Sequence, residues 1–213
     1  VCSSDLSPLA TWKFYAGEGG LRVPLIVSGV PGAQDGRVFK GFAHVTDIMP
    51  TLLEVAGVAP PQATYGGRPV ATPTGKSLLP VLRGAADRVR APGEALGYEL
   101  AGNAALFRDE LKLVRNRPPV GDGRWHLYDI ASDPGETRDL AAARPQDFAA
   151  MQAAWERWAR GNGVLPMPEG YEPRRQVLLN ALRFVYLPML AWLLPALALA
   201  VGAWIFWRRR RRA

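Results

Sequence analysis

From Phe184 to Trp207 the chain runs 24 residues without a formal charge, FVYLPMLAWLLPALALAVGAWIFW. A helix rising about 1.5 Å per residue carries such a run across roughly 36 Å, more than the ~30 Å hydrocarbon core of a bilayer. Tyr186 lies near one end and Trp204 and Trp207 near the other, where amphipathic rings favour the membrane interface. Pro188 and Pro195 would kink a water-soluble helix, yet a span tolerates both. The alternative, a buried core helix, fits neither the length nor the arginines beyond it. Residues 184–207 therefore read as one transmembrane helix.

Arg208 to Arg212 come directly after the run, with no acid among them, whereas Arg174, Arg175 and Arg183 before it are accompanied by Glu169 and Glu172. The positive-inside rule assigns the denser cluster to the cytoplasm, and drawing five arginines through a bilayer is costly. Residues 208–213 become a basic cytoplasmic tail, and the domain before the span falls on the periplasmic or extracellular side. Most of the net charge of +7 sits in this tail, so the rest is close to neutral and offers no broad basic face for nucleic acid. A single cysteine, Cys2, excludes an internal disulfide and a Cys-based zinc cage; two histidines, His44 and His126, leave little for a metal site. The chain opens at Val1 with neither Met nor a visible signal peptide, which reads as a missing start, and residues 1–6 fit poorly with the rest of the chain.

Upstream of the span the periodicities are those of a mixed α/β protein. Val23 to Val27 (VPLIV), between Gly19-Gly20 and Ser28-Gly29, predicts a short buried strand. Asp47 to Gly57 predicts a helix capped by Thr46 or Asp47, with Pro50 in its first turn and Gly57 at its end. Residues 58–94, rich in Pro, Gly and Ala, read as loop around a short helix at Ser77 to Arg83. Ala104–Arg108, Leu111–Val114 and Trp125–Asp129 predict three strands of a meander, and Asp133-Pro134-Gly135-Glu136 a turn. A last amphipathic helix, about Asp147 to Arg160, stacks Phe148, Met151, Trp155 and Trp158 at spacings of three and four.

Little in the chain advertises a reaction: no Gly-rich phosphate loop, no Gly-x-Ser-x-Gly elbow and no HExxH occurs. The informative stretch is Lys13 to Pro24. Paired glycines before a strand permit close backbone approach, and a lysine and an arginine flanking them would stand at a sheet edge, where sites on open sheets form. A compact ammonium can meet an anionic ester oxygen or protonate a leaving oxygen. By composition alone Lys13 reads as a solvated surface lysine, and Arg22 equally well as a structural ion-pair partner.

Lys13 with Glu18-Gly19-Gly20-Leu21-Arg22-Val23-Pro24 resembles the lysine and EGG(I/L)RVP segment of the sulfatase family, in the alkaline-phosphatase-like superfamily. Further pieces come in the family's order. They are His44 to Leu53, then Gly75-Lys76-Ser77-Leu78-Leu79 with Leu82-Arg83-Gly84, then Ala105 to Arg108 with Leu111-Lys112-Leu113-Val114, and last Trp125 to Ala141. The resemblance spans roughly residues 8–165 and implies the C-terminal part of an α/β sulfatase fold. Residues 7–94 would end the large domain, contributing the VPLIV strand and the helix after it. Residues 95–172 would form a small antiparallel-sheet subdomain, ahead of the transmembrane helix.

The implied activity is hydrolysis of sulfate monoesters of the arylsulfatase type, on a small molecule or a glycan, by a membrane-anchored parent enzyme. Calcium and formylglycine are implied as cofactors. Cys2-Ser3-Ser4-Asp5-Leu6 lacks the Pro/Ala and Arg of the family's modification motif, and Ser4-Asp5 lacks the Asn-Gly of its calcium ligands, so nucleophile and metal ligands are expected upstream and the chain alone inactive. Lys13 alone carries over, as a sulfate-oxygen contact and acid for the leaving group. A phosphate- or phosphonate-ester hydrolase or transferase of the same superfamily, and a non-catalytic membrane-tethered relative, are the alternatives. His44 reads as structural, His126 as exposed, Asp47 as a helix cap, Trp155 and Trp158 as core. Asp133, Glu136 and Asp139 read as a turn and cap, since their spacing fits no EF-hand.

Overall fold

A computed structural model of the chain describes residues 8–34 and 36–211. It comprises two units, Val1–Leu165 and Pro166–Ala213. Cys2 and the other residues of the segment 1–6 lie outside the described residues.

The first unit is built on a four-stranded antiparallel meander, and helices and sheet together give the mixed α/β class. Strands β3 (Ala95–Leu100), β4 (Asn103–Arg108), β5 (Leu111–Arg115) and β6 (His126–Asp129) pair in chain order. Alternation of side chains along each strand sorts them onto two faces. Ala104, Leu106, Leu113 and Leu127 pack against Met151, Ala154 and Trp155 of helix α4 (Pro145–Gly161). Phe148 and Trp158 join them, so the tryptophan stripe is core, with Trp155 and Trp158 rings 5.3 Å apart. Ala105, Phe107 and Val114 face the other way, onto Ala16, with Leu21, Phe42, Tyr98 and Tyr128 around them. The opposite face of the sheet thus carries the segment that holds Lys13.

Strand β3 is an addition to the three predicted strands. Gly97 interrupts its apolar pattern because Trp158 lies directly on it: a Cβ there would stand 2.3 Å from the indole. Ahead of the sheet, α1 (Glu18–Leu21) is a single turn and a 3₁₀ turn, Val45–Asp47, leads into α2 (Ile48–Val55). Residues 58–94 hold a two-residue hairpin, β1 (Thr64–Tyr65) with β2 (Arg68–Pro69), and the short helix α3 (Leu79–Leu82).

The predicted buried strand at Val23–Val27 is corrected: the segment is irregular and open to solvent, Val23 at 77% and Ile26 at 91% exposure. A strand exists only where a neighbour takes up its backbone hydrogen bonds, and no described strand lies beside it. Val45 of the 3₁₀ turn and Ile48, Met49, Leu52 and Val55 of α2 are exposed as well, the latter an apolar stripe at helical spacing.

In the second unit, α5 (Pro173–Ala181), a π turn (Leu182–Tyr186) and α6 (Leu187–Arg210) run on without a break. The π turn closes through Leu187 N–H to Leu182 O. It sits just before Pro188, which cannot donate to the carbonyl four residues back, and π bulges are a usual adjustment to such a lost bond. Among the described residues one stretch, Arg175–Leu193, is long and apolar enough to cross a membrane, with mean hydropathy 1.3. Arg208 lies over the Trp204 ring at 4.6 Å and Arg211 over Trp207 at 3.8 Å, one helical turn apart in each case.

Candidate functional site

The segment Leu9–Arg22 folds as a compact turn whose apex presents Lys13, exposed, with no ion pair formed to it among the described residues. Thr11 (φ 62°) and Phe14 (φ 92°) bracket the lysine in left-handed backbone that side-chain-bearing residues seldom adopt. Each such residue costs on the order of 1–3 kcal/mol and persists only where its surroundings over-determine it. The surroundings are explicit. Tyr15 N–H donates to Trp12 O (3.0 Å) and Gly19 N–H to Ala10 O (2.7 Å). Ala16 N–H donates to Asn116 Oδ1 (2.7 Å), and Asn103 Nδ2 donates to Phe14 O (3.2 Å) while Asn103 Oδ1 accepts Arg117 N–H (2.9 Å).

The glycines are required by space. A Cβ on Gly20 would lie 2.1 Å from Tyr15 O, on Gly19 2.4 Å from Thr11 O, and on Gly17 2.4 Å from Thr11 Oγ1. The backbone of the EGG turn is packed directly onto the irregular segment before it.

Behind the turn lies a buried ionic cluster. Lys112 of β5, with 0% of its side chain exposed, places Nζ 2.9 Å from Glu18 Oε1 and 2.8 Å from Glu136 Oε1. Both glutamates are 3% exposed. Glu136 Oε2 also accepts the Glu18 N–H at 2.9 Å, and Glu18 Oε2 meets Arg22 Nε at 2.8 Å. Two cations thus face two carboxylates, which removes the net charge that burial penalises most. Lys112 Nζ also lies 5.1 Å from the Phe107 ring centre. The ion-pair role expected of Arg22 is realised here. Lys112, Glu136, Asn103 and Asn116 were not legible as parts of this site: the signal for Lys112 was a lone charge inside an apolar strand.

The other candidates are committed elsewhere. His44 caps the 3₁₀ turn before α2, its Nδ1 accepting from Thr46 N–H at 3.4 Å while its own N–H donates to Asp47 Oδ2 at 2.7 Å. Burial, helped by Arg90 and opposed by Asp47, holds its pKa below the ordinary histidine value. Asp47 is fully buried, and its expected role as cap is corrected: its side chain makes no cap hydrogen bond to α2, but closes the capping box of the 3₁₀ turn by accepting the His44 N–H, and it also accepts from Arg90. His126 is corrected from exposed to half-buried and paired. Its Nδ1 lies 2.8 Å from Asp139 Oδ2 and its Nε2 3.0 Å from Asp122 Oδ1. Burial lowers its pKa, but the hydrogen bonds and charges of the two carboxylates outweigh it and raise the pKa.

Calcium, the metal the resemblance implies, does not fit the acids at hand. Asp133 accepts from Thr137 and Arg138 N–H, Asp139 from Leu127 and Ala141 N–H, and Glu136 turns inward to Lys112. Among the described residues no group of three His, Cys, Asp or Glu could hold a metal ion.

No protein-family model matches the chain. An uncharacterized sulfatase of Schizosaccharomyces pombe is 29% identical over 166 residues, which cover 78% of this chain and 30% of the relative. Arylsulfatase K of Xenopus laevis is 27% identical over 170 residues, 71% of this chain and 29% of the relative. The chain therefore spans about three tenths of the length of these relatives. Among solved structures, Ps i-CgsB in complex with k-i-k-neocarrahexaose superposes with a TM-score of 0.60 at 20% identity, over 80% of this chain and 35% of the other.

Proposed function

We propose that this chain, a sulfatase-like C-terminal segment, completes the catalytic domain of a membrane-anchored sulfuric ester hydrolase of arylsulfatase type. In it, Lys13 sets its ammonium against an oxygen of the substrate's sulfate. One observation carries the reading: Lys13 stands exposed between two left-handed residues, on a turn fixed from behind by the Lys112, Glu18 and Glu136 cluster. Backbone held in such angles by its surroundings is a feature that clusters at functional sites. A cation fixed in advance stabilises charge that develops during ester cleavage without reorganising, and it can protonate a departing oxygen. The calcium and formylglycine of the complete enzyme would come from residues other than those described here, so the chain alone is inert. The ester's alcohol is a small molecule or a glycan.

The exposed apolar stripe of α2 and the unpaired Val23–Val27 segment support the same account. They are the surfaces on which a larger α/β domain would be completed. The continuous helix Pro173–Arg210 supports the anchor, with Arg208 and Arg211 stacked on tryptophans at one end and the domain outside the cytoplasm. The test joins the segment to the upstream part of the domain and compares an aryl sulfate with the matching aryl phosphate and phosphonate. Faster turnover of the sulfate supports the reading. Faster turnover of phosphate or phosphonate replaces it with a phosphoryl-transfer enzyme, and no turnover of any ester leaves a tethered binding domain.

A further inference from the structure

We infer that Lys112 is a positioning residue for the turn that presents Lys13, acting through Glu18; only its catalytic consequence rests on the role proposed above for Lys13. Lys112 stands 94 residues from Glu18 in sequence and on a different element, yet its Nζ is equidistant, within 0.1 Å, from carboxylates of the EGG turn and of the turn after β6. It falls on the turn-facing side of the sheet because β5 alternates: Leu111 and Leu113 point to α4, Lys112 and Val114 away from it.

The turn's neutral ties, from Phe14 O to Asn103 of β4 and from Ala16 N–H to Asn116 just after β5, each exchange with water on release. The tie through Lys112 differs, because releasing one partner leaves charge stranded in a dry site. Without Lys112, the carboxylates of Glu18 and Glu136 face each other with only Arg22 nearby, and its side chain is 47% exposed. Like charges so placed repel. Glu18 can escape by lifting with its turn, and the left-handed angles at Thr11 and Phe14 then relax to ordinary ones. The sheet, closed by its own ladder, stays.

The experiment uses the full chain in detergent micelles, with Lys112→Met, Glu18→Ala, the two combined, and Glu136→Gln. Hydrogen exchange is read at the Tyr15 and Gly19 amides, whose bonds close the turn, against amides of the β4 and β5 pair. Backbone carbon shifts of Thr11 and Phe14 report the left-handed angles. In Lys112→Met, Tyr15 and Gly19 should exchange about tenfold faster relative to the sheet, with the left-handed signature lost. Glu18→Ala should do the same, and the double variant no more than either, as expected of one linked pair. Glu136→Gln keeps an acceptor for Glu18 N–H and should keep the signature. Unchanged exchange at Tyr15 and Gly19, equal loss across turn and sheet, or additive effects would overturn the inference. If Lys112→Met does not fold, Glu18→Gln removes one charge and is read at the same amides with the same criteria. Should the turn loosen as described while Lys13→Ala leaves ester turnover intact, the role of Lys13 fails and that of Lys112 stands.

Discussion

Arg90 closes on Asp47 through two parallel hydrogen bonds, Nη1 to Oδ2 at 2.8 Å and Nη2 to Oδ1 at 2.7 Å. The same carboxylate accepts the backbone N–H groups of His44 (2.7 Å) and Lys76 (2.9 Å). One buried side chain thereby joins the start of α2, the loop after the β1–β2 hairpin and the approach to β3. Burial pushes the Asp47 carboxyl up, but the Arg90, Lys76 and His44 hydrogen bonds outweigh it and hold the pKa below the ordinary range. Its contribution to stability is therefore present above the ordinary carboxylate pKa and lost as pH falls through the depressed one.

Asp47→Ala strands a buried guanidinium and should cost about 3–5 kcal/mol. Asp47→Asn keeps an acceptor oxygen and should cost less. Thermal unfolding of the two variants against the parent measures this. A loss of under about 1 kcal/mol in Asp47→Ala, the worth of one ordinary hydrogen bond, would show that the junction is not held by this pair.

His126 predicts the opposite pH dependence. Its raised pKa means that its contribution is full below the ordinary histidine value and lost as pH rises through the folded-state value. The stability gap between parent and His126→Gln should narrow from about pH 6 to about pH 8, above the ordinary pKa of ~6.5. A gap that widens with pH would mean that Asp122 and Asp139 do not hold the imidazolium.

Gly20→Ala would drive a methyl to 2.1 Å from Tyr15 O. The clash is with backbone, so the EGG turn must shift, at a cost of about 1–3 kcal/mol. Gly161→Ala, which meets nothing within 4 Å and ends α4, is the control and should be neutral or slightly stabilising. Equal midpoints for the two variants would contradict the packing of the turn.

Strong local periodicity was legible: α4 with its tryptophans, α2, and the β4–β5–β6 meander lie within a few residues of their sequence expectations. Features that depend on distant partners were not. Val23–Val27 has the composition of a buried strand, but pairing is a property of two segments, and the described residues supply one. Strand β3 hid behind Gly97, whose purpose is the ring of Trp158, some 60 positions later. Lys112 alternates with Leu111 and Leu113, a pattern that sets it on the opposite face of the strand without saying what covers that face. Only the packing of Glu18 and Glu136 over that face shows that the charge is inside. At the site, Lys13 and the EGG glycines could be singled out from sequence; the cluster that seats them could not.

The proposed anchor gives a further prediction. The protein should fractionate with membranes, and truncation near Glu172 should release it. Protease added to spheroplasts should digest the domain and leave the arginine tail protected. Protection of the whole domain would reverse the topology.

The most direct measurement is kcat of Lys13→Ala in the completed enzyme, on an aryl sulfate, with thermal midpoint recorded alongside. Lys13 is exposed and outside the ionic cluster, so its removal leaves no cavity and no stranded charge. Turnover should fall by about 10²–10³, the cost of losing one preorganised electrostatic partner, with the midpoint unchanged. Lys13→Arg should not fully restore it, since a planar fork replaces a point charge. Lys40→Ala, which removes another exposed lysine from an irregular segment, should keep parental turnover. Near-parental turnover in Lys13→Ala would contradict the account, and a collapse of midpoint and activity together would make Lys13 structural.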